Sequence, residues 1–219
     1  MPNALILGAS RGIGLGLAGE LVRRGWTVTA TVRRADDEAG LRQAGATPAR
    51  ADITEPASIA ALRDAVAVPL DLLFVNAGIS EPADFASIDP AGIGHLFLTN
   101  AVAPVRAAEA LLPRLAPGAT IAFMSSRMGS VALTTQDNKA MYRASKAALN
   151  SLTRGFVSRI DGAHPVLTLH PGWVETDMGG PGADLDVATS VRGLADVLES
   201  RRGVAGSVFL DHAGAELPW

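Results

Sequence analysis

The 219-residue sequence has no cysteine, one tyrosine and only two lysines among its 19 basic residues, and aromatic residues make up 5% of it. Without cysteine there are no disulfides, no thiol catalysis and no cysteine-ligated zinc. The four histidines, His95, His164, His170 and His212, have no metal-ligand spacing, so they read as structural or surface residues and no metal is expected. A net charge of -3 with scattered basic residues argues against nucleic acid, which needs a concentrated positive face. No apolar stretch is long enough to cross a bilayer, and the N-terminus enters a strand without a charged leader. A soluble cytoplasmic protein is therefore expected. Repeats and low-complexity segments are missing too, and the length suits one domain, 1–219, with a real core.

The single tyrosine, Tyr142, stands four positions before Lys146. On a helix this spacing puts both side chains on one face, close enough for an ammonium to act on a phenol. A phenol exchanging protons near neutral pH must fall about 3 units from its usual pKa of ~10. A neighbouring cation supplies part of that shift, and burial of the ring opposes it.

Ala119 to Met124 reads as a short buried strand running into Ser125 and Ser126, which places hydroxyls at a strand's C-terminal end, where open parallel sheets bind ligands. There a serine can hydrogen-bond a carbonyl oxygen while a phenol protonates it. Ser126 is preferred to Ser125 because it stands three residues before Gly129. At the N-terminus, the apolar run Leu5, Ile6, Leu7 leads into Gly8, Ala9, Ser10, Arg11, Gly12, Ile13 and Gly14, then into a helix-period run through Leu17, Leu21 and Val22. A glycine turn between strand and helix lets the backbone approach a pyrophosphate and offers it free N–H groups. Further strands near Thr27, Pro48, Leu70, Ala119, Val166 and Val208 alternate with helical patterns near Pro56, Ile93, Met141 and Asp184. Such alternation predicts an α/β fold, a doubly wound parallel sheet of Rossmann type with helices on both faces.

With these motifs together, the chain resembles the short-chain dehydrogenase/reductase family over essentially its whole length. Gly8, Gly12 and Gly14 match its glycine turn, Asn76, Ala77 and Gly78 its Asn-Ala-Gly, and Asn100, Ser126, Tyr142 and Lys146 its catalytic set. Within the family it looks most like the C-factor (C-signal) branch, on Ser125 to Gly129, Tyr142 to Asn150, His170 to Met178 and the ending Glu216 to Trp219. The resemblance implies that Tyr142 is the proton donor and that Ser126 orients the carbonyl. It further implies that Lys146 holds the ribose and lowers the phenol pKa, and that Asn100 supports a relay water. Asp52 then contacts adenine, with Ile53 beside it, and Ile13 packs near the nicotinamide. In the segment from Pro171 and Gly172, Val174 meets the carboxamide and Thr176 the phosphates, with Met178 just beyond. Two departures stand at adjacent strand ends: Leu7 replaces the usual threonine and Val75 the first asparagine of Asn-Asn-Ala-Gly, read as a paired exchange of a polar contact for an apolar one.

After the strand Thr27 to Val32, where enzymes preferring NAD carry an acid, come Arg33 and Arg34. With Arg11 they suit a 2′-phosphate, so NADP(H) is preferred to NAD(H), although Asp36 and Asp37 lie close by. Met128, Val131, Leu133, Trp173 and Met178 flank the expected site and suggest a small hydrophobic carbonyl compound, while Leu217, Pro218 and Trp219 are candidates to close the pocket or an interface. The expected activity is NADPH-dependent carbonyl reduction by a homo-oligomer, dimer or tetramer. The alternative is a nucleotide-binding signalling protein that retains the fold. A sugar-nucleotide epimerase shares Tyr-x-x-x-Lys but usually spaces its glycine turn differently, and the chain is short for one.

Overall fold

Runs of four to ten residues, mostly apolar in the central strands, make β1 (Asn3–Leu7), β2 (Thr27–Val32), β3 (Thr47–Arg50), β4 (Leu70–Val75), β5 (Leu115–Met124), β6 (Val166–His170) and β7 (Ser207–Asp211). In the computed structural model, which describes residues 1–80, 87–136 and 138–219, they pair in parallel as one sheet of order β3-β2-β1-β4-β5-β6-β7. The order reverses between β1 and β4, and the divergence of the connections there opens a crevice at the strands' C-terminal ends.

Helices cover both faces: α1 (Gly12–Arg23), α2 (Glu38–Gln43), α3 (Pro56–Ala65), α4 (Pro90–Phe97), α5 (Ala103–Leu111), α6 (Ala140–Arg159) and α7 (Val187–Ser200). Successive strand residues point to opposite faces, so a strand covered on both sides must be apolar throughout. Ile6 and Phe74 meet Leu17, Leu21 and Leu194 on one face, while Leu5, Leu73 and Phe123 meet Val105, Leu149 and Phe156 on the other. The rings of Phe123 and Phe156 lie edge to face, 5.9 Å apart. α1 comes close to α7 because Gly16 has no side chain; a Cβ there would stand 2.7 Å from Val187 Cγ1.

Three features differ from the sequence expectation. β5 begins at Leu115, earlier than Ala119. The helical pattern near Asp184 starts at Val187, because Asp186 caps it by accepting the Thr189 N–H at 2.6 Å and Leu185 is drawn into a bridge with Val174. Between α4 and α5 the chain makes a π turn, Leu98–Val102. Pro104 has no N–H to offer the Asn100 carbonyl four residues back, so a regular α ladder cannot run through this point. No helix among the described residues is long and apolar enough to cross a membrane.

Candidate active site

At the end of β1 the chain turns through Gly8 at φ +89, where a Cβ would fall 2.7 Å from Ala77 Cα. A Cβ on Gly14 would fall 2.3 Å from the Gly8 carbonyl oxygen, so this glycine lets α1 close over the turn. Gly8 donates its N–H to Thr31 Oγ1 at 3.0 Å, and Asn76 Nδ2 donates to Gly8 O at 2.6 Å. Leu7 and Val75 are register partners, both buried, while Leu7 O accepts the N–H groups of Asn76 and Ala77. The turn is thus held by Thr31 from β2 and by Asn76, while Leu7 and Val75 meet as an apolar pair beneath it.

The N-terminus of α1 has no side-chain cap and no acid in its first turn, so its leading N–H groups and dipole are left for an anion. They open on a cleft of about 480 Å³. Gly8, Ser10, Arg11, Gly12, Ile13, Arg33, Asp52, Ile53, Asn76, Ala77, Gly78, Tyr142, Lys146, Pro171, Thr176 and Met178 line it. Glycine cradle, uncapped helix and cationic rim together fit a dinucleotide. Asp52 is pushed up by burial, but two hydrogen bonds from Thr54 outweigh this and hold its carboxyl below the usual range. Not every candidate reaches the lining. Gly14 lies beneath the turn, Gly172 and Val174 in the loop after β6 stay off the lining, Arg34 forms an ion pair with Asp37 at 3.1 Å, and Asn100 and Ser126 are buried, so that Ser125 is the serine that lines the cleft. Sequence reasoning missed Thr31, Thr99, Glu175 and Asp177, and took His95 as structural although it lines the cleft. Arg11 and Asp177, from opposite walls, form an ion pair across the mouth.

The catalytic candidates converge at one end of the cleft. The Ser126 hydroxyl lies beside the Tyr142 phenol, and Ser126 Oγ accepts the Met128 N–H at 3.1 Å. Its neighbour Ser125 is engaged elsewhere, donating to Asn150 Oδ1 at 2.6 Å. The Ser-x-x-Gly spacing has a packing cause: a Cβ on Gly129 would stand 2.8 Å from the Lys146 carbonyl carbon, so only glycine lets the Ser126 turn close on α6. The fully buried side chain of Asn100 accepts the Ile79 N–H and donates to Ile79 O, both at 2.8 Å, and donates to Ser145 Oγ at 3.0 Å. Asn100 therefore locks the loop after β4 to α6, and Gly78 fits between it and Lys146, where a Cβ would be 3.3 Å from both.

The expected effect of Lys146 on Tyr142 needs correcting. Lys146 Nζ donates to Met124 O at 2.9 Å and lies 5.9 Å from the phenol ring centroid. Tyr142 is half-buried with an edge on the cleft; burial pushes its phenol up to about 12, only partly offset by the neighbouring Ser126 hydroxyl. Burial also pulls the Lys146 ammonium down to about 8. Desolvation, not ion pairing, governs both groups before any ligand arrives.

A parallel sheet with a glycine cradle at its switch point and a Ser, Tyr, Lys, Asn set at the cradle's inner end defines a dinucleotide-dependent α/β oxidoreductase. The family model described as short chain dehydrogenase matches residues 2–184, and the chain belongs to that family. Among curated relatives, the C-signal of Myxococcus xanthus is 42% identical over 156 residues, 69% of this chain and 93% of that protein. A 1-hydroxy-2-glutathionyl-2-methyl-3-butene dehydrogenase of Rhodococcus sp. (strain AD45) is 35% identical over 184 residues, covering 81% and 80% of the two chains. Among solved structures, a carbonyl reductase from Pseudomonas aeruginosa PAO1 in complex with NADP is 42% identical over the whole of both chains, with a TM-score of 0.93.

Proposed function

We propose that the protein is an NADP(H)-dependent reductase of small hydrophobic ketones or aldehydes. The observation that carries this reading is that Tyr142 and Lys146 line the cleft that the glycine turn opens, with the buried Ser126 hydroxyl beside the phenol. When bound, the reduced nicotinamide supplies the hydride. Ser126 Oγ holds the substrate oxygen, and Tyr142 Oη gives it a proton as charge develops there. Burial, which pushes the phenol up to about 12, keeps it protonated at neutral pH, and the fall that proton transfer requires would come from charge that arises in the cleft as hydride leaves the cofactor. Lys146, near its own pKa of about 8, exchanges the Met124 carbonyl for ribose hydroxyls, and Asn100 keeps the loop from Gly78 to Ile79 from blocking it.

NADP(H) rather than NAD(H) is supported by Arg11 and Arg33 on the cleft rim and by the NADP complex of the Pseudomonas aeruginosa carbonyl reductase. Met178, 44% exposed on the cleft lining, favours an apolar substrate over a charged one. A signalling protein that merely kept the fold has no need of Asn100, Ser126, Tyr142 and Lys146 in one assembled site.

The test is NADPH consumption with a panel of small apolar ketones and aldehydes. Ser126→Ala should lower turnover on the order of a hundredfold with cofactor affinity little changed, because its bond matters chiefly in the transition state. Ser125→Ala should be milder. Greater damage from Ser125→Ala, or no turnover by the unaltered protein on any member of the panel, would refute the reading.

A further inference from the structure

After β7 the chain folds back along that strand: Leu217 donates its N–H to Phe209 O at 2.8 Å, and Glu216 bridges Leu210 in antiparallel sense. This return brings Trp219 to three partners. Its ring lies 5.5 Å from that of Phe209 on β7, the Arg154 guanidinium of α6 sits 5.4 Å from its centroid, and its carbonyl accepts the Ala132 N–H at 3.3 Å. Ala132 belongs to the stretch 130–136, which joins the turn after Ser126 to the helix that carries Tyr142. The remaining hydrogen bonds of that stretch stay local: Thr134 N to Val131 O, Leu133 N to Ser130 Oγ, Thr134 Oγ1 to Ser130 O, and Ser130 N to Arg127 O. Among the described residues, Trp219 is its one hydrogen-bonded tie to a distant part of the chain.

Two apolar side chains ride on this stretch. Val131 is 72% exposed and Leu133 is half-buried, and neither belongs to the core clusters. In the ligand-free chain neither lines the cleft, but the stretch that carries them is anchored at one end by the turn of Ser126 and at the other by the helix of Tyr142. We propose that Trp219 is a positioning residue: it holds the 130–134 stretch in place so that Val131 and Leu133 form one wall of the carbonyl-binding site and select for bulky hydrophobic substrates. The substrate half of this inference rests on the reductase reading above; the clamp itself does not. An indole suits the task because one rigid group meets an aromatic ring and a cation while its main chain holds the loop.

The test compares Trp219→Ala, Trp219→Phe and Arg154→Ala in the full chain, with two measurements. In hydrogen exchange without cofactor, the 130–134 amides of Trp219→Ala should exchange at least about fivefold faster, those of β5 and the middle of α6 should not change, and Trp219→Phe should stay near the unaltered protein. In steady-state turnover with NADPH, Trp219→Ala should raise KM at least about fivefold for a branched or aromatic ketone while changing kcat, and KM for propanal, less than about twofold. Arg154→Ala should move both readouts the same way by about twofold, and it decides the matter if Trp219→Ala does not fold. Unchanged exchange at 130–134 overturns the proposal. Faster exchange with an unaltered ratio of KM values also overturns it, since the contact would then be merely structural. If the unaltered protein reduces no carbonyl compound, the reductase reading fails, and the exchange measurement alone upholds or overturns the clamp.

Discussion

Tyr142 and Lys146 sit one helical turn apart, yet their protonation is set by what surrounds them rather than by each other. With the phenol at about 12 and the ammonium at about 8, the lysine is already neutral over the range in which the tyrosine ionises. In the cofactor-free protein, absorbance of the single tyrosine, read by rapid pH jumps before the chain unfolds, should show a pKa above the ~10 of a free phenol. Lys146→Met should shift it by less than about half a unit, because no charge is removed in that range. Saturation with NADP⁺ should lower it, since the oxidised nicotinamide brings a positive charge to the cleft. A cofactor-free value below ~10 would show that the lysine charge outweighs desolvation after all.

At the scale of elements, the end of β2 sets apart the two arginines proposed to meet a 2′-phosphate. The chain leaves the sheet at Val32, and the next two arginines diverge. Arg33 faces the cleft, whereas Arg34 turns to Asp37 at the start of α2. The ion pair holds the Asp37 carboxyl below its usual range and leaves the Arg34 guanidinium less available. Arg33→Ala should therefore weaken NADPH binding by about 1.5 kcal/mol or more and leave NADH nearly untouched, the size expected for one charge-assisted hydrogen bond. Arg34→Ala should cost clearly less. Calorimetric titration of both cofactors into both variants checks this, and equal losses for the two arginines would mean that Asp37 releases Arg34 to the phosphate.

For the whole molecule, the desolvation of Lys146 and Tyr142 imposes a stability profile of defined sign. Lys146 has a folded pKa of about 8 against 10.5 for the free side chain, so between these values the unfolded chain holds a proton that the folded one has released. Stability therefore rises with pH across that window, by up to roughly 3 kcal/mol. Tyr142 acts in the opposite sense above pH 10, where the unfolded phenol ionises and the folded one, at about 12, does not. The difference in unfolding free energy between the unaltered protein and Lys146→Met, measured by urea denaturation from pH 7 to 10, should grow in favour of the unaltered protein above pH 8. A constant difference would mean that the lysine is not desolvated in the folded chain.

Much of this molecule is written in local pattern. The strand Thr27 to Val32, the glycine turn and the Tyr-x-x-x-Lys pair are legible because each depends on residues within a turn or two: alternation of side chains, permitted φ angles, helical spacing. The sequence also shows why Gly129 follows Ser126 by three residues, since a glycine there lets that turn pack against α6, whereas which serine reaches the cleft depends on tertiary packing. Even the π turn left a trace in Pro104, which removes the N–H that the Asn100 carbonyl would otherwise receive. What tertiary structure alone decided is how distant segments meet. Thr31 supplies the hydroxyl that Leu7 does not have, Asp177 reaches across to Arg11, and Trp219 finds Ala132. Likewise only packing could show that desolvation outweighs the lysine at Tyr142. A pKa depends on the whole neighbourhood of a group, and a neighbourhood is assembled from residues that local pattern cannot bring together.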